Sequence, residues 1–417
     1  MVITRRNRIY LIGPLALVAF QLLVTSSAVA TPPQISAGFT STCTIATNGS
    51  LKCWGDNSFG QLGIGNFVGF PNPKPVAFFR SVSALSVGNG FACAISSGAL
   101  FCWGKNDFGQ LGNGTTTGAT TPFPVTGLSS GVTAVAAGGS HTCAIQNQEL
   151  KCWGNNSRGQ LGRGPHTGVG GFQTTPQQVW VPVFFTTEMI SAGNAHTCAT
   201  AIVDGVRGLY CWGDNFFGQA GQPGTSNDFP QPMLVRNPTN FVPFGVAAGS
   251  THACGLYRNG AESKVVCWGN NQFGQLGLGH RNPCTFCFRP INAAIGNTAS
   301  VVTGPMSLHT CSLSNNGKVH CWGRNSAGQI GDNSTTDRLN PTVPLQMGSN
   351  VMQISVGGGH TCSWVKSAGV ISIPALGVLG DTVALDLHPF CWGANANGQL
   401  GVRDFAVHRS PTRVFGL

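Results

Sequence analysis

Short apolar stretches alternate with glycine-rich turns along most of the chain after residue 30. The stretches are rich in Val, Ile, Thr, Cys and Trp, as in HTCAI and LKCWG, and none keeps the 3.6-residue spacing of an amphipathic helix. Glycine, asparagine and proline separate them, which is typical of tight turns between strands. The pattern therefore predicts an all-β protein built from short antiparallel strands.

The same strand-and-turn pattern recurs seven times. Each unit has an apolar stretch ending in glycine, a strand such as HTCAI, a turn, a strand such as LKCWG, the G-Q-L-G turn and a variable proline-rich segment. Propellers, solenoids and arrays all have such periods, but seven small sheets suit a ring that protects their edges. The motif C-W-G-x-N-x-x-G-Q starts every 49 to 70 residues, at Cys53, Cys102, Cys152, Cys211, Cys267, Cys321 and Cys391.

Two positions of the motif have a structural interpretation. A glycine before each glutamine indicates positive φ or a close approach of neighbouring chain. An asparagine three residues after each tryptophan can hydrogen-bond its own turn. Because every unit needs the residues that define its turn, we interpret both sets as structural. The glycines are Gly60, Gly109, Gly159, Gly218, Gly274, Gly328 and Gly398, and the asparagines are Asn57, Asn106, Asn156, Asn215, Asn271, Asn325 and Asn395.

Fourteen of the sixteen cysteines fall into seven pairs, one per unit. Counting outward from a two-residue loop at Ser97-Gly98 places Cys93 opposite Cys102. Directly opposed residues lie about 4.5–5.5 Å apart at Cα, within reach of a disulfide. A two-residue loop at Asn147-Gln148, and three-residue loops at Thr47-Asn48-Gly49 and Asn315-Asn316-Gly317, give the same result in three other units. The predicted pairs are Cys43–Cys53, Cys93–Cys102, Cys143–Cys152, Cys198–Cys211, Cys254–Cys267, Cys311–Cys321 and Cys362–Cys391.

Residues 1–30 form a segment of their own. Three arginines, Arg5, Arg6 and Arg8, precede the apolar run LIGPLALVAFQLLV, which ends in small residues up to Ala30. This order is typical of a secretory signal peptide, and the run is shorter than the ~20 residues of a spanning helix, the alternative. We therefore expect a secreted, extracellular or periplasmic protein whose residues 31–417 form the propeller. In such an oxidising compartment the paired cysteines would persist as disulfides. The alternative is that they are free thiols acting as small core residues.

The charge balance gives little indication of a binding partner. The net charge is +10, yet only 9% of residues are charged, and no run of adjacent Lys and Arg follows residue 30. We therefore predict no nucleic-acid partner. No second apolar segment of about twenty residues occurs, so we predict no membrane span after signal cleavage.

Candidate catalytic and metal-binding residues are few. Five histidines stand two residues before the first cysteine of a pair, but equivalent positions on different blades lie too far apart to share a metal. We interpret them as structural hydrogen-bonding groups. Cys284 and Cys287, near His280, give a weak zinc or redox signal, and we favour a loop disulfide. No recognisable catalytic motif occurs, so we predict no enzymatic activity, cofactor or metal. The five are His141, His196, His252, His309 and His360.

The pattern H-T-x-A-I followed by W-G-x-N-x-x-G-Q-L-G resembles the regulator of chromosome condensation repeat family, from Ile35 to Val414. The resemblance implies a seven-bladed β-propeller whose ends meet, without fixing which strand is shared. Family members typically lack both cysteines, so a secreted, cysteine-stapled branch is indicated. The namesake binds chromatin and exchanges guanine nucleotide on a small GTPase, partners that an exported chain does not meet. The architecture is also similar to that of the secreted β-lactamase inhibitor protein II, which binds another protein through loops on one face.

Function is expected in the variable segments after each G-Q-L-G turn, because loops on rigid scaffolds often carry binding sites. The alternative is that their aromatic residues pack between blades. We predict a secreted or surface scaffold that binds an extracellular or envelope protein. A carbohydrate- or cell-wall-binding propeller is the alternative, and guanine-nucleotide exchange is less favoured. The candidate partner-binding residues are Phe70, Phe79, Trp180, Phe184, Phe229, Phe244, Phe286 and Phe288.

Two segments depart from the repeat. The insertion between Cys362 and Cys391 predicts either an extended apolar hairpin or a plug over the ring. The stretch Thr303-Gly304-Pro305-Met306 replaces the usual A-G-G sequence of the sixth unit and predicts an irregular blade.

Overall fold

The computed structural model describes residues 33–417 except 78, 80, 165–168, 182–184, 224–227, 283–294, 296 and 371–382. Within this part, seven antiparallel sheets follow one another around a closed ring, and no α-helix occurs there. The first strand of each sheet neighbours the first strand of the next, and the last sheet neighbours the first. The predicted all-β, seven-bladed β-propeller is confirmed.

The blades use the strands in chain order. Blade one contains β1 (Gln34–Ala37), β2 (Ser41–Ile45), β3 (Leu51–Gly55) and β4 (Phe70–Pro75). Blade two contains β5 (Val82–Val87), β6 (Phe91–Ser96), β7 (Ala99–Gly104) and β8 (Ala119–Pro124). Blade three contains β9 (Val132–Ala137), β10 (His141–Gln146), β11 (Glu149–Asn155) and β12 (Phe172–Gln178). Blade four contains β13 (Phe185–Ala192), β14 (His196–Val203), β15 (Val206–Gly213) and β16 (Phe229–Leu234).

The other three blades follow the same order. The described part of blade five contains β17 (Val242–Ala248), β18 (His252–Asn259) and β19 (Glu262–Gly269). Blade six contains β20 (Thr298–Val302), β21 (His309–Ser314), β22 (Val319–Gly323) and β23 (Arg338–Thr342). Blade seven contains β24 (Val351–Val356), β25 (His360–Val370), β26 (Val383–Gly393) and β27 (His408–Arg413).

The two ends of the propeller carry different loops. The first strand of each blade is innermost, and residues from six of these strands or their turns line a central cavity of about 160 Å³. At one end, the residue after each C-W-G motif hydrogen-bonds to the turn between the first two strands, as Lys105 N does to Gly90 O (2.8 Å). We call this end the turn face. The opposite end carries the hairpins between second and third strands, and we call it the hairpin face.

Disulfides staple all seven blades. Cys93 lies directly opposite Cys102 as the loop count predicted, and the other pairs share this register. The paired Cα atoms are 4.0–4.1 Å apart, closer than the 4.5 Å of unbridged positions. All fourteen side chains are fully buried, and no free cysteine occurs in the described ranges. Cys284 and Cys287 lie outside the described residues.

The asparagine and the glycine of the turn have the structural roles that the repeat predicted. Asn57 Oδ1 accepts a hydrogen bond from Leu62 N (2.9 Å), and Asn57 Nδ2 donates to Val68 O (3.0 Å). Gly60 has a φ of 78°, and a Cβ there would lie 2.9 Å from the Thr120 Cα of the next blade. The turn therefore needs glycine for both its backbone conformation and its close packing.

Ring closure needs no shared strand, because β1–β4 all belong to blade one and β24–β27 to blade seven. Instead, every tryptophan of the motif reaches back to the preceding blade. Its Nε1 donates to the carbonyl oxygen of that blade's G-Q glutamine over 2.9–3.0 Å. At the closing junction, Trp54 donates to Gln399 O (2.9 Å). The two ends of the propeller thus meet through the same bond as any other neighbouring blades.

The two departures from the repeat have distinct structures. The paired strands β25 and β26 continue to Val370 opposite Val383, so the insertion extends the last hairpin, and its residues 371–382 lie outside the described part. In blade six, residues 303–308 connect the first two strands, where residues 38–40 suffice in blade one. Ser307 Oγ lies 2.9 Å from His309 Nδ1 within this longer connection.

Candidate functional site

A ring of phenylalanine side chains marks the turn face. Blades one, two, four and five carry phenylalanine just before the glycine of the G-Q-L-G turn. The backbone of this position is fixed, because Phe59 N donates to Gln61 Oε1 (2.9 Å), as the equivalent residues do in their own turns. The Phe59 side chain lies over the next blade, where a Cβ at Gly90 would be 3.1 Å from its ring.

Three further phenylalanines extend this surface. Phe39, in the first turn of blade one, is 41% exposed. Phe216 is 63% exposed and packs edge-on against Phe217 with ring centroids 4.9 Å apart. Phe172 packs against Phe108 at 6.4 Å. We call this set the aromatic collar, and it consists of Phe39, Phe59, Phe108, Phe172, Phe216, Phe217 and Phe273.

Cations from neighbouring blades lie over two collar rings. Lys105 Nζ is 4.9 Å from the centroid of Phe59, and the Arg324 guanidinium is 5.3 Å from that of Phe273. Lys105 also pairs with Asp107 (3.3 Å). The collar therefore combines exposed aromatic area with locally balanced charge, which suits a protein surface better than a phosphate backbone.

The sequence itself contains a signal for the collar. The turn requires its asparagine, glycine and glutamine in every unit, but not the residue before the glycine. That position is Arg158, Ala327 and Asn397 in blades three, six and seven. The phenylalanine side chain in the other four units therefore has no role in forming the turn. Its recurrence indicates a role for the surface on which it lies.

The predicted partner-binding residues that the structure describes do not form one surface. Phe79 packs 5.4 Å from Phe101 and 6.0 Å from Trp103 between the first two blades, in agreement with the packing alternative. Phe70 and Phe229 are half-buried against core clusters that span neighbouring blades. Phe184, Phe286 and Phe288 lie outside the described residues.

The last two candidates differ in exposure. Phe244 is half-buried, and the Arg258 guanidinium stacks 4.0 Å from its ring centroid. Trp180 is 47% exposed at the outer rim, beside Gly164. A binding role for any of these residues stays a prediction.

Four of the five histidines connect neighbouring blades. Nε2 of His141, for example, lies 2.8 Å from the Thr197 hydroxyl of blade four, which itself donates to Gln160 O (2.9 Å). Because the threonine proton is used in that bond, the histidine must be the donor through Nε2–H. His252, His309 and His360 make the same contact. Four of the five thus act as inter-blade hydrogen-bond donors.

Burial keeps these imidazoles neutral. All five are fully buried. Removal from water disfavours the imidazolium and lowers the pKa to about 3 in His141, His252, His309 and His360. Burial lowers the pKa of His196 to about 4, and the backbone of His252 opposes part of that shift.

Over the described ranges, no group of three or more His, Cys, Asp or Glu side chains could hold a metal ion. No helix there is long and apolar enough to cross a bilayer. The expectation of no enzymatic activity stays a prediction.

Fold and sheet order define a seven-bladed β-propeller with one repeat per blade. The RCC1-like domain model matches residues 78–417, and models of the regulator of chromosome condensation (RCC1) repeat match residues 34–61 and 48–95. Since the first match covers most of the chain, the protein belongs to the regulator of chromosome condensation (RCC1) repeat family.

Similar curated proteins are larger than this chain. The probable E3 ubiquitin-protein ligase HERC4 of Rattus norvegicus is 31% identical over 229 residues, which cover 54% of this chain and 19% of the ligase. Probable E3 ubiquitin-protein ligase HERC3 of Homo sapiens is 32% identical over 254 residues, 58% of this chain and 21% of the ligase. The ultraviolet-B receptor UVR8 of Arabidopsis thaliana is 28% identical over 243 residues, 58% of this chain and 49% of the receptor. The matched region thus spans about a fifth of each ligase.

Solved structures show the same fold. Prp20p of Saccharomyces cerevisiae has a TM-score of 0.70 and 20% identity, with 93% of this chain and 86% of that chain covered. Human WBSCR16 has a TM-score of 0.71 and 19% identity, with 88% and 94% covered. At these identities the likeness establishes the fold alone.

Proposed function

We propose that this chain is a protein-binding scaffold that works outside the cytoplasm and contacts its partner through the turn face. The aromatic collar is the observation that carries the proposal. Aromatic and arginine side chains supply most of the energy of protein interfaces. Phe39, Phe59 and Phe216 are exposed on one end of a rigid ring, where burial against a partner would remove apolar surface from water.

Rigidity supports the same function. Seven disulfides and a tryptophan bond at every junction hold the collar's backbone before a partner arrives. A pre-organised surface loses less conformational entropy on binding than a flexible loop does. A related propeller, yeast RCC1 (Prp20), has been crystallised with Kap60 bound. For this chain we propose protein binding in general, with a partner of its own.

Export is part of the proposal. The arginine-led apolar segment before Ala30 and the fourteen paired cysteines both suit an oxidising compartment. Expression in the source organism, followed by N-terminal sequencing of the protein in each fraction, tests this. We expect Thr31 at the N-terminus outside the cytoplasm. An intact Met1 in the cytoplasmic fraction would contradict export.

Site-specific photocrosslinking tests the binding face. A photoreactive phenylalanine analogue replaces Phe59 or Phe216 on the turn face, and Val206, which is 70% exposed beside a hairpin, serves as the matched control. After exposure to intact cells and secreted material, we expect one discrete adduct at the two collar positions. An adduct at Val206 alone would place the partner on the other end.

Affinity measurements with the identified partner complete the test. We expect Phe59→Ala and Phe216→Ala each to weaken binding at least about tenfold, the size of an interface hot spot, and Val206→Ala to leave it unchanged. Loss with Trp180→Ala while both collar variants bind normally would move the site to the outer rim. Retention of glycan that free sugar displaces would instead support the carbohydrate-binding alternative.

A further inference from the structure

We infer that the ring has a preferred place of opening, the junction between blades four and five. At the junctions 3–4, 5–6, 6–7 and 7–1, a buried histidine of one blade bonds to a threonine of the next. The threonine also donates to the glutamine carbonyl that accepts the tryptophan bond. These bonds join the two blades deep inside the junction.

The junction between blades four and five lacks both bonds. Ala253 stands where the other partners of histidine have threonine, directly opposite Trp268 in the hairpin. His196 is fully buried, and its ring has no side-chain hydrogen-bond partner, only the nearby backbone of His252. A buried polar group without a good partner favours any state in which water can reach it. The junction between blades one and two also has alanine, at Ala92, and the Ser41 hydroxyl that faces it is likewise buried without a partner, but it is a smaller polar group than an imidazole.

Packing at the same junction also departs from the repeat. The residue after each G-Q glutamine is fully buried against the next blade, and it is leucine in five units and isoleucine in one. In blade four this residue is Ala220. The space is shared with Tyr257 of blade five, which is fully buried and whose hydroxyl has no hydrogen-bond partner. The missing histidine–threonine bond therefore coincides with a substitution in the apolar packing of the same junction.

Opening at this junction would displace part of the collar. Phe216 and Phe217 belong to the loop that continues into Ala220. Separation of blades four and five therefore moves Phe216 and Phe217 on the turn face, and its effect on a partner rests on the proposed function. The opening itself can be measured without any partner.

Each junction contains its own reporter. The indole proton of the motif tryptophan is held by the glutamine carbonyl of the preceding blade, and Trp268, bonded to Gln219 O (3.0 Å), reports the junction between blades four and five. Hydrogen exchange of these protons is followed by NMR in the full chain with ¹⁵N-labelled tryptophan, assigned by Trp→Phe variants. We expect Trp268 to exchange at least about tenfold faster than the reporters of the four histidine–threonine junctions, a factor comparable to one net hydrogen bond. Trp103, which reports the Ser41–Ala92 junction, should lie between them.

Two variants and a matched control test the cause. Ala253→Thr restores the missing hydroxyl, and His196→Phe replaces the imidazole with the side chain that blade two has at this position, Phe91, which also lies beside a glycine. Each should slow exchange of Trp268 severalfold and leave the other reporters unchanged. Ala92→Thr, the same substitution where no histidine is present, should leave Trp268 unchanged. Protection of Trp268 equal to that of the other reporters would overturn the inference, as would fast exchange that neither variant slows.

Discussion

Acid should destabilise this propeller mainly through its buried histidines. The unfolded chain binds protons on histidine near pH 6.5, whereas His141, His252, His309 and His360 stay neutral in the folded chain down to about pH 3. Between these values the unfolded state holds more protons, so the free energy of unfolding falls as the pH falls below about 7. The loss levels off near pH 3, where the folded chain also becomes protonated.

The magnitude follows from the two pKa values. At pH 5, a histidine whose pKa falls from 6.5 to about 3 on folding loses about 2 kcal/mol of its contribution to stability. His196, with a folded pKa of about 4, loses nearly as much. Together the five would remove about 10 kcal/mol as an upper bound, comparable to the whole stability of an ordinary domain. We therefore expect a steep loss of stability between pH 7 and pH 5.

One substitution isolates a single histidine. His360→Phe copies blade two, where Phe91 occupies this position beside a glycine as His360 does. Guanidinium unfolding, followed by tryptophan fluorescence from pH 5 to 8 without reductant, measures the free energy of unfolding. We expect the difference between pH 8 and pH 5 to be about 2 kcal/mol smaller in the variant. The exposed His280→Gln is the control, and identical pH dependence in wild type and His360→Phe would refute the reasoning.

Three further outcomes test the blade chemistry. Denatured but unreduced protein should show few or no thiols to an alkylating reagent, and about fourteen would rule out the staples. Asn271→Ala, which removes the bonds that tie a turn, should lower the free energy of unfolding by about 1–3 kcal/mol, whereas the exposed Asn340→Ala should have little effect in the same thermal melt. Gly109→Ala should cost more stability than Gly114→Ala, because both have positive φ but only a Cβ at Gly109 would meet Thr174 Cα, at 2.6 Å; equal losses would mean that backbone strain alone matters.

The hairpins could be predicted because local rules determine them. A two-residue loop fixes which residues face each other, so placing Ser97-Gly98 in the loop was enough to align Cys93 with Cys102. Because the motif recurs, the same cysteine pairing could be predicted in the other units. By contrast, the positions of Phe70 and Phe79 depend on how each outer strand packs against the next blade, which strand periodicity does not define.

The collar could not be predicted from one unit at a time. Phe39 and Phe59 lie on different loops of blade one, and only the antiparallel order of the strands brings both loops to the same end. Variable segments after the G-Q-L-G turn predict a binding site there, whereas the asparagine and glycine of the turn predict only a structural role. The residue before the glycine is part of the turn and is also free to vary, since its backbone forms the turn and its side chain is unconstrained.

Departures within a repeat become meaningful only when the contacts between units are known. His196 resembles four other histidines, and Ala253 resembles Ala92, so neither is unusual in its own unit. In the ring, however, each histidine faces the threonine position of the following unit. The combination of histidine in unit four with alanine in unit five is therefore the exception, across 57 residues of sequence. A rule that pairs positions across the junction would find such exceptions directly, and in this chain it identifies the junction beside Phe216 and Phe217 of the turn face.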